Sequence, residues 1–561
     1  QKTYNCVQAG SSLENYVVRT VVCDPGTDSN GESLLESNCW AYPDGTYKPT
    51  GLLHRYGETE RMYFGLLTGS FRQNTAGGVL RKNMSSFTDE VDPDTGQFTT
   101  ARGIVHTLDE MRITGFDYGS YSYESNCGWI ASRPINEGEC RMWGNPLAEM
   151  MYETLRYFSG TTTPTPEFVD SISDGDDDGL DLPMVSWNDP YDSAVSGYPY
   201  CARPFMLVVS DVFPTFGSDH LAGAYFDGFT GTLTSFSDPA ESMDADALAD
   251  AIAVMEGETG TTPHFIGQVG NDYDGSCAPK TMTGWGNVRG LCPEEPTKRG
   301  SFYTPSVSYF GRKEDMSGVT DEQYVNSYMV GLSSPLPRIE IDVGGKNVSL
   351  VPFAKSVGGY GISAAEGSFQ PTNAIVDFYV EAISGTSGVF RINYEDVSQG
   401  ADHDMDAICR YEYEVETDPT SGVSRVRIDL ESQYAAGSII QHMGYTISGT
   451  TNDGTYLEVR DEDTGASSDP DYFLDTPGDC DPHTAGDTCY QDGSALPLTK
   501  TRYFWPGDTT AATILENPLW YGAKYGGFEE TSGTTVIAPS EVSEWDEDGD
   551  GTPDTYFYVV N

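Results

Sequence analysis

Basic residues are scarce in this chain. Among 561 residues, 31 lysines and arginines stand against 86 aspartates and glutamates, a formal net charge of -55. A surface of that sign repels nucleic acid and anionic membranes and attracts divalent cations, so a nucleic-acid partner is excluded. Histidine is also sparse, with 7 copies scattered without a useful spacing. Neither GxSxG, HExxH nor SxxK occurs, so a hydrolase would lack a recognisable nucleophile or zinc-bound water. Pairs of acids are too numerous to single out a catalytic couple. CxxC, CxxCH and mixed Cys/His clusters are missing, which argues against zinc, thioredoxin chemistry and haem. No run of roughly 18 apolar residues occurs, so no membrane-crossing helix is expected. Gln1 opens no basic and then apolar leader, so the sequence reads as a processed secreted chain or as a fragment.

What is present points to a folded, oxidised protein. The 35 tyrosines and 24 phenylalanines rule out acidity as a sign of disorder. Eight of the 11 cysteines fall into local couples, Cys23 with Cys39, Cys127 with Cys140, Cys277 with Cys292 and Cys480 with Cys489. Each couple closes a short loop rich in Gly, Pro, Asn or Asp, the pattern of staples formed in an oxidising compartment. Cys6, Cys201 and Cys409 remain, and the odd total leaves at least one free or paired outside the chain.

The most apolar stretch, Phe205 to Val209, is rich in β-formers and suits a parallel strand covered on both faces. Asp211 then sits at its carboxyl end, where open α/β sheets bind ligands and metals. Strands are also expected at Tyr16 to Val22, Met62 to Thr68, the following GGVLRKNMSSF, and Gln323 to Leu332. WGNPLAEMMYETLRYFSG is the best helix, with Asn145 as cap, Pro146 at the first turn and Gly160 as stop. Its start would present Asn145 to a site shared with Asp211. Met243 to Met255 is a second helix, with Leu248, Ile252 and Met255 inward and Asp244, Asp246 and Asp250 on a wet face. YTPSVSYFGR and ENPLWYGAKYGGF are also helical. From Pro337 to about Leu515 short alternating strands and turn dipeptides replace helices, which predicts an antiparallel β domain.

Several acidic loops are candidates for calcium. In EWDEDGDGTPDTYFYVVN, Asp546, Asp548 and Asp550 occupy alternate positions, Gly551 turns the chain, Thr552 offers its carbonyl and Asp554 stands at the ninth place. Phe557 replaces the twelfth-position acid and a strand follows, so the loop looks like those of dockerin or thrombospondin type 3 repeats. SDGDDDGLD supplies Asp174, Asp176, Asp178 and Asp181 around Gly179, a second calcium candidate one residue short of the usual spacing. Asp402, His403, Asp404 and Asp406 crowd a third loop, which reads as a metal site or as a polar turn. Asp89, Asp92 and Asp94 read as a solvated turn. Asn83 and Asn347 lie in glycosylation sequons, which arise easily by chance.

WGNPLAEMMYETLRYFSG, YCARPFMLVVSD, SSPLPRIEIDVGGKNVSLVPFAKSVGGYGISAAEGSFQPTN and NPLWYGAKYGGF with its DxDxDGxPD loop together resemble the PilC/PilY family of type IV pilus tip proteins. The resemblance covers most of the chain. It implies an α/β von Willebrand factor A-like (Rossmann-type) domain, lacking its first strand and carrying a large antiparallel β-rich insertion. Residues 1–336 would form that domain, 337–515 the insertion, and 516–561 the return helix, calcium loop and last strand. It further implies a secreted, calcium-dependent pilus-tip adhesin and assembly factor working with minor and major pilins and a host or abiotic surface ligand. The place would be the pilus tip or outer surface of a Gram-negative-type bacterium. By that resemblance the sequence given would stop before the family's C-terminal propeller. The DxSxS loop of the adhesion-type metal site does not occur in it, and Asp211 and Asn145 match only the third and second ligand loops. Magnesium or calcium would be its ion, and a further segment would supply the missing strand. A structural subunit of an extracellular filament or surface layer, and a calcium-stabilised secreted hydrolase, are the alternatives.

Overall fold

The elements that position the candidate sites are, in chain order, strands β1 (Phe64–Thr68) and β2 (Val79–Ser85), helix α1 (Leu147–Phe158), strand β3 (Phe205–Asp211), helices α2 (Ala245–Glu256) and α3 (Tyr303–Lys313), and strand β4 (Asn326–Leu332). Then come β5 (Ile339–Asp342), β6 (Asn347–Gly358), β7 (Ala374–Ile383), β8 (Ser387–Glu395) and β9 (Asp406–Thr417). They are followed by β10 (Ser424–Ala435), β11 (Ile440–Ser448), β12 (Gly454–Arg460), β13 (Thr476–Pro477) and β14 (Thr499–Phe504). Helix α4 (Pro518–Gly527) and strand β15 (Tyr556–Val559) close the series. The structure is a computed structural model that describes residues 21–112, 116–117, 122–123, 134–141, 143–177, 179–196, 198–211, 213–260, 262–273, 277–293, 295–332, 337–358, 374–395, 406–435, 440–463, 465, 476–477, 496–508, 512–529 and 538–559.

Strands β15, β4 and β3 form a parallel sheet in that order, with Val330 opposite both Val209 and Phe557. Parallel neighbours need a crossover. Here the crossover from β4 to β15 contains all ten strands β5 to β14. Helices α1, α3 and α4 pack on one face of the sheet, where Met206, Val208 and Met329 are buried. The other face corrects the expectation of a strand covered twice. Phe205, Leu207 and Val209 are 43%, 66% and 58% exposed, and Leu332, Phe557 and Val559 continue the exposed apolar surface. A continuous apolar run shows that both faces of a strand are hydrophobic, and here helices of the described residues reach only one.

Helix α1 is buried almost all round, including Glu149 and Glu153. Its unbranched residues favour helix, and Gly160, at φ 75°, takes the left-handed turn that ends it. The expected Asn145 cap is not made: Pro146 occupies the cap position without a side-chain bond, and Asn145 donates instead to Ser210 Oγ at 2.9 Å. Helix α2 is capped by Asp244, which accepts from the Ala247 amide at 3.0 Å, while Asp250 accepts from Gly286 at 2.8 Å. Those two acids hold backbone groups and are more than a wet face. Met255, expected inward, is exposed, because Gly257 ends the helix one turn beyond the buried Ile252 and Ala253. Asn517 caps α4 as an Asn-Pro start should, accepting from Trp520 at 2.8 Å.

Strands β5 to β14 make two five-stranded antiparallel sheets, ordered β5-β6-β11-β12-β13 and β7-β8-β9-β10-β14, whose inner faces share one core. Fully buried Tyr394 and Tyr411 meet hydroxyl to hydroxyl at 2.7 Å, and Tyr411 donates to the Gly444 carbonyl at 2.6 Å. A smaller cluster of Phe265, Cys277, Cys292, Phe353, Val357 and Leu457 joins this sandwich to the α/β part. There the hydroxyl of Thr455 donates to the Cys277 carbonyl at 2.8 Å.

The cysteine couples Cys23–Cys39 and Cys277–Cys292 are bonded. Cys140 is also in a disulfide, and Cys6, Cys127, Cys480 and Cys489 lie outside the described residues. Cys201 is free and exposed, Cys409 free and buried. Tyr16 to Thr20, Asp402, His403 and Asp404, and the side chain of Asp406 also fall outside what is described.

Candidate metal centre

The C-terminal acidic loop links a short 3-10 turn, Val542–Glu544, to β15. Asp546, Asp548 and Asp550 bring a carboxylate oxygen each to within 4.8 Å of one another. The alternate spacing does this because the backbone coils around Asp546, the buried member. Its Oδ1 accepts from the amides of Gly549 (2.7 Å) and Asp550 (3.1 Å), and its Oδ2 from Gly551 (2.8 Å). Gly549 and Gly551 both sit at positive φ, 75° and 86°, where a side chain would be strained. Asp548 and Asp550 accept from the amides of Asp550 (3.2 Å) and Thr552 (2.7 Å). Asp554 ties the two ends, its Oδ2 accepting from Glu547 at 3.0 Å and its amide donating to the Trp545 carbonyl at 2.8 Å. No lysine or arginine among the described residues pairs with Asp546, Asp548 or Asp550. Like charges so close repel, and oxygen-rich loops of this kind suit calcium.

The other acidic loop is organised differently. Arg102 lies between Asp174 (3.2 Å) and Asp181 (3.1 Å), and Arg72 lies 3.8 Å from Asp176. Asp178 lies outside the described residues. Among the described residues these carboxylates are not gathered around a common point, and arginine supplies their positive charge. The member that sequence reasoning passed over, Asp177, is fully buried against Arg81. The amide of Met184 donates to Asp174 at 3.0 Å, and with Arg102 this lowers its carboxyl below the ordinary value.

Asn145 stands beside Ser210, so it meets the carboxyl end of β3 next to Asp211, which lies opposite Leu332. The side chain of Asp211 is outside the described residues.

A cluster that the sequence did not reveal lies on the neighbouring turn of α1. Glu149 is fully buried, its Oε2 accepting from the Gly77 amide (2.8 Å) and its Oε1 from that of His220 (3.1 Å). Asp219 and His220 complete a group whose ligand atoms lie within 4.8 Å of one another. Burial, reinforced by the Asp219 charge, pushes the Glu149 carboxyl well above its ordinary value. The one signal available was an acid at a position that a helix buried on all sides must enclose.

A family model described as "PilY1 homolog, second domain" matches residues 64–311, and one described as "PilY1 homolog, beta-sandwich" matches residues 341–497. A type IV pilus biogenesis factor PilY1 homolog of Xylella fastidiosa (strain Temecula1 / ATCC 700964) is 45% identical over 568 residues, which covers 94% of this chain. The chain spans 37% of that relative's length. No solved structure matches.

Proposed function

The chain belongs to the PilY1-homolog family, and on that premise we propose that it acts in type IV pilus biogenesis as a secreted, calcium-binding component of the pilus tip that also adheres to surfaces. The observation that carries the calcium part is the convergence of Asp546, Asp548 and Asp550, with which no lysine or arginine among the described residues pairs. The loop opens directly onto β15, which pairs with β4 through Met329 to Leu332. A bound ion would stiffen the segment that returns the chain to its sheet and so fix the ten-strand excursion at both ends. Calcium binding stabilises the folded state by mass action, because the unfolded loop has no assembled site. We read the α/β part as a von Willebrand factor A-like domain, with the sandwich inserted between β4 and β15. Asn145 and Asp211 are its adhesion-type metal residues, for magnesium or calcium. The partners are minor and major pilins and a host or abiotic surface ligand, and the role is assembly and attachment, with no catalytic step.

Complementation tests this reading. In a piliated bacterium deleted for its own copy, the full-length protein should restore surface pili and attachment. Asp548→Ala should restore less of both, and lowering external calcium should reproduce that defect with the wild type. Normal piliation in the deletion strain would overturn the pilus role. Full rescue by Asp548→Ala, insensitive to calcium, would overturn the role of the loop.

A further inference from the structure

We propose that Glu149, Asp219 and His220 form a further metal site, distinct from the calcium loop and from Asn145 and Asp211, that takes a divalent transition metal ion of the zinc class. The three residues come from two elements, helix α1 and the loop after β3, and meet where that loop passes over the start of the helix.

The distances favour a shared ion over direct bonding. His220 Nδ1 is buried and has no hydrogen-bond partner. It faces Asp219 Oδ1 at 3.5 Å and Glu149 Oε1 at 3.8 Å. A ring nitrogen hydrogen-bonded to a carboxylate would sit at about 2.7–2.9 Å. Two atoms each about 2.1 Å from one tetrahedral ion are instead about 3.4 Å apart, from zinc's bond lengths and angle. The imidazole is also held in place. Its ring makes T-shaped contacts with Phe168 and Phe229, the ring centroids 6.4 and 5.9 Å apart, and its backbone amide is tied to Glu149.

The charge around the cluster suits a cation as well. No lysine or arginine among the described residues pairs with Glu149. Arg299 reaches only the outer oxygen of Asp219, at 3.8 Å. Asp219 is the dominant negative group at His220, and Glu167 and Glu137 add to it. The imidazole is a borderline donor that suits zinc and its neighbours, and with two carboxylates it makes a three-ligand set of the kind zinc takes, whereas calcium prefers six to eight oxygens. The His220 side chain is 34% exposed, so an ion has a way in and its fourth position can take water.

Cobalt serves as the spectroscopic probe. The purified chain, stripped with chelator and then saturated with calcium, should bind one equivalent of Co2+ with visible ligand-field absorption. Zinc should bleach that absorption, and further calcium should not. His220→Ala should lose both the absorption and one equivalent of zinc measured by equilibrium dialysis, and His220→Gln should behave the same way. Asp548→Ala should keep them. The calcium-dependent rise in melting temperature, measured on each histidine variant, reports that its fold is intact. Two results would overturn the proposal: no zinc or cobalt binding by the wild type, or the same binding in folded His220→Ala. The first would leave Glu149 and Asp219 sharing a proton.

Discussion

Replacing Arg81 by methionine should destabilise the α/β part by about 3–5 kcal/mol, the usual cost of removing one partner from a buried ion pair. Both side chains of the Arg81–Asp177 pair are 0% exposed. The guanidinium also donates to Thr68 Oγ1 at 2.9 Å and to the carbonyls of Pro183 and Gly69, each at 3.0 Å. Methionine fills much of the volume but leaves those acceptors, and the Asp177 carboxylate, without their donor. Asp177 would keep only the Ser70 hydroxyl at 2.9 Å and the Phe71 amide at 3.2 Å. In a cooperative unit of 150–250 residues the loss corresponds to a fall of roughly 6–20 °C in melting temperature. Differential scanning calorimetry reads it directly, and urea denaturation gives the free energy. The double variant Arg81→Met/Asp177→Leu should recover much of the loss, since removing a whole buried pair is often nearly neutral. A single-variant cost below about 1 kcal/mol, the scale of an exposed pair, would refute the reasoning. Rescue of Arg81→Met by millimolar calcium would show that the 174–181 loop takes an ion after all.

Other perturbations read other parts of the account. Replacing Cys277 and Cys292 by serine opens a loop with a sequence separation of 15, and should cost about 3 kcal/mol by denaturant titration. Leu207→Asp, on the uncovered face of β3, should change the stability of this chain by no more than about 0.5 kcal/mol. Val208→Asp, one residue on and buried, should prevent folding as judged by circular dichroism; a large loss from Leu207→Asp would mean that something covers that face. Burial holds the Glu153 carboxyl above its ordinary value, against the opposing pull of Arg156 and Thr165. Its folded value exceeds the unfolded one, so its contribution is fully present below the unfolded pKa and is lost as pH rises through the folded one. Glu153→Gln should therefore flatten the fall in stability above the ordinary carboxylate range, and an unchanged slope would contradict the shift.

What could be read from the sequence was local. The alternate acids of 546–554 and the helix at ENPLWYGAKYGGF rest on patterns within a few residues of chain, so local sequence alone located them. The strand at Phe205 was legible for the same reason, but its environment was not. An apolar run cannot say which of its faces another segment will reach, and Leu207 and Val209 proved to be uncovered. Groups assembled from distant positions escaped altogether. Arg81 meets Asp177 across 96 residues, and Glu149 meets His220 across 71. Each side chain alone reads as an ordinary surface charge. Burial made them informative, and burial depends on the tertiary packing of α1 and β2. Asn145 was a related case, since its amide could cap a helix or serve the neighbouring strand, and Ser210 decided the choice.

The central claim concerns the ion at 546–554, and sensitised terbium luminescence tests it most directly. Trp545 immediately precedes the loop, and its ring lies 5.5 Å from that of Trp520, so excitation of tryptophan should pass to terbium seated among Asp546, Asp548 and Asp550. The account predicts one saturating emission that excess calcium quenches and that Asp548→Ala abolishes. Emission that persists in Asp548→Ala, or its absence from the folded wild type, would contradict it.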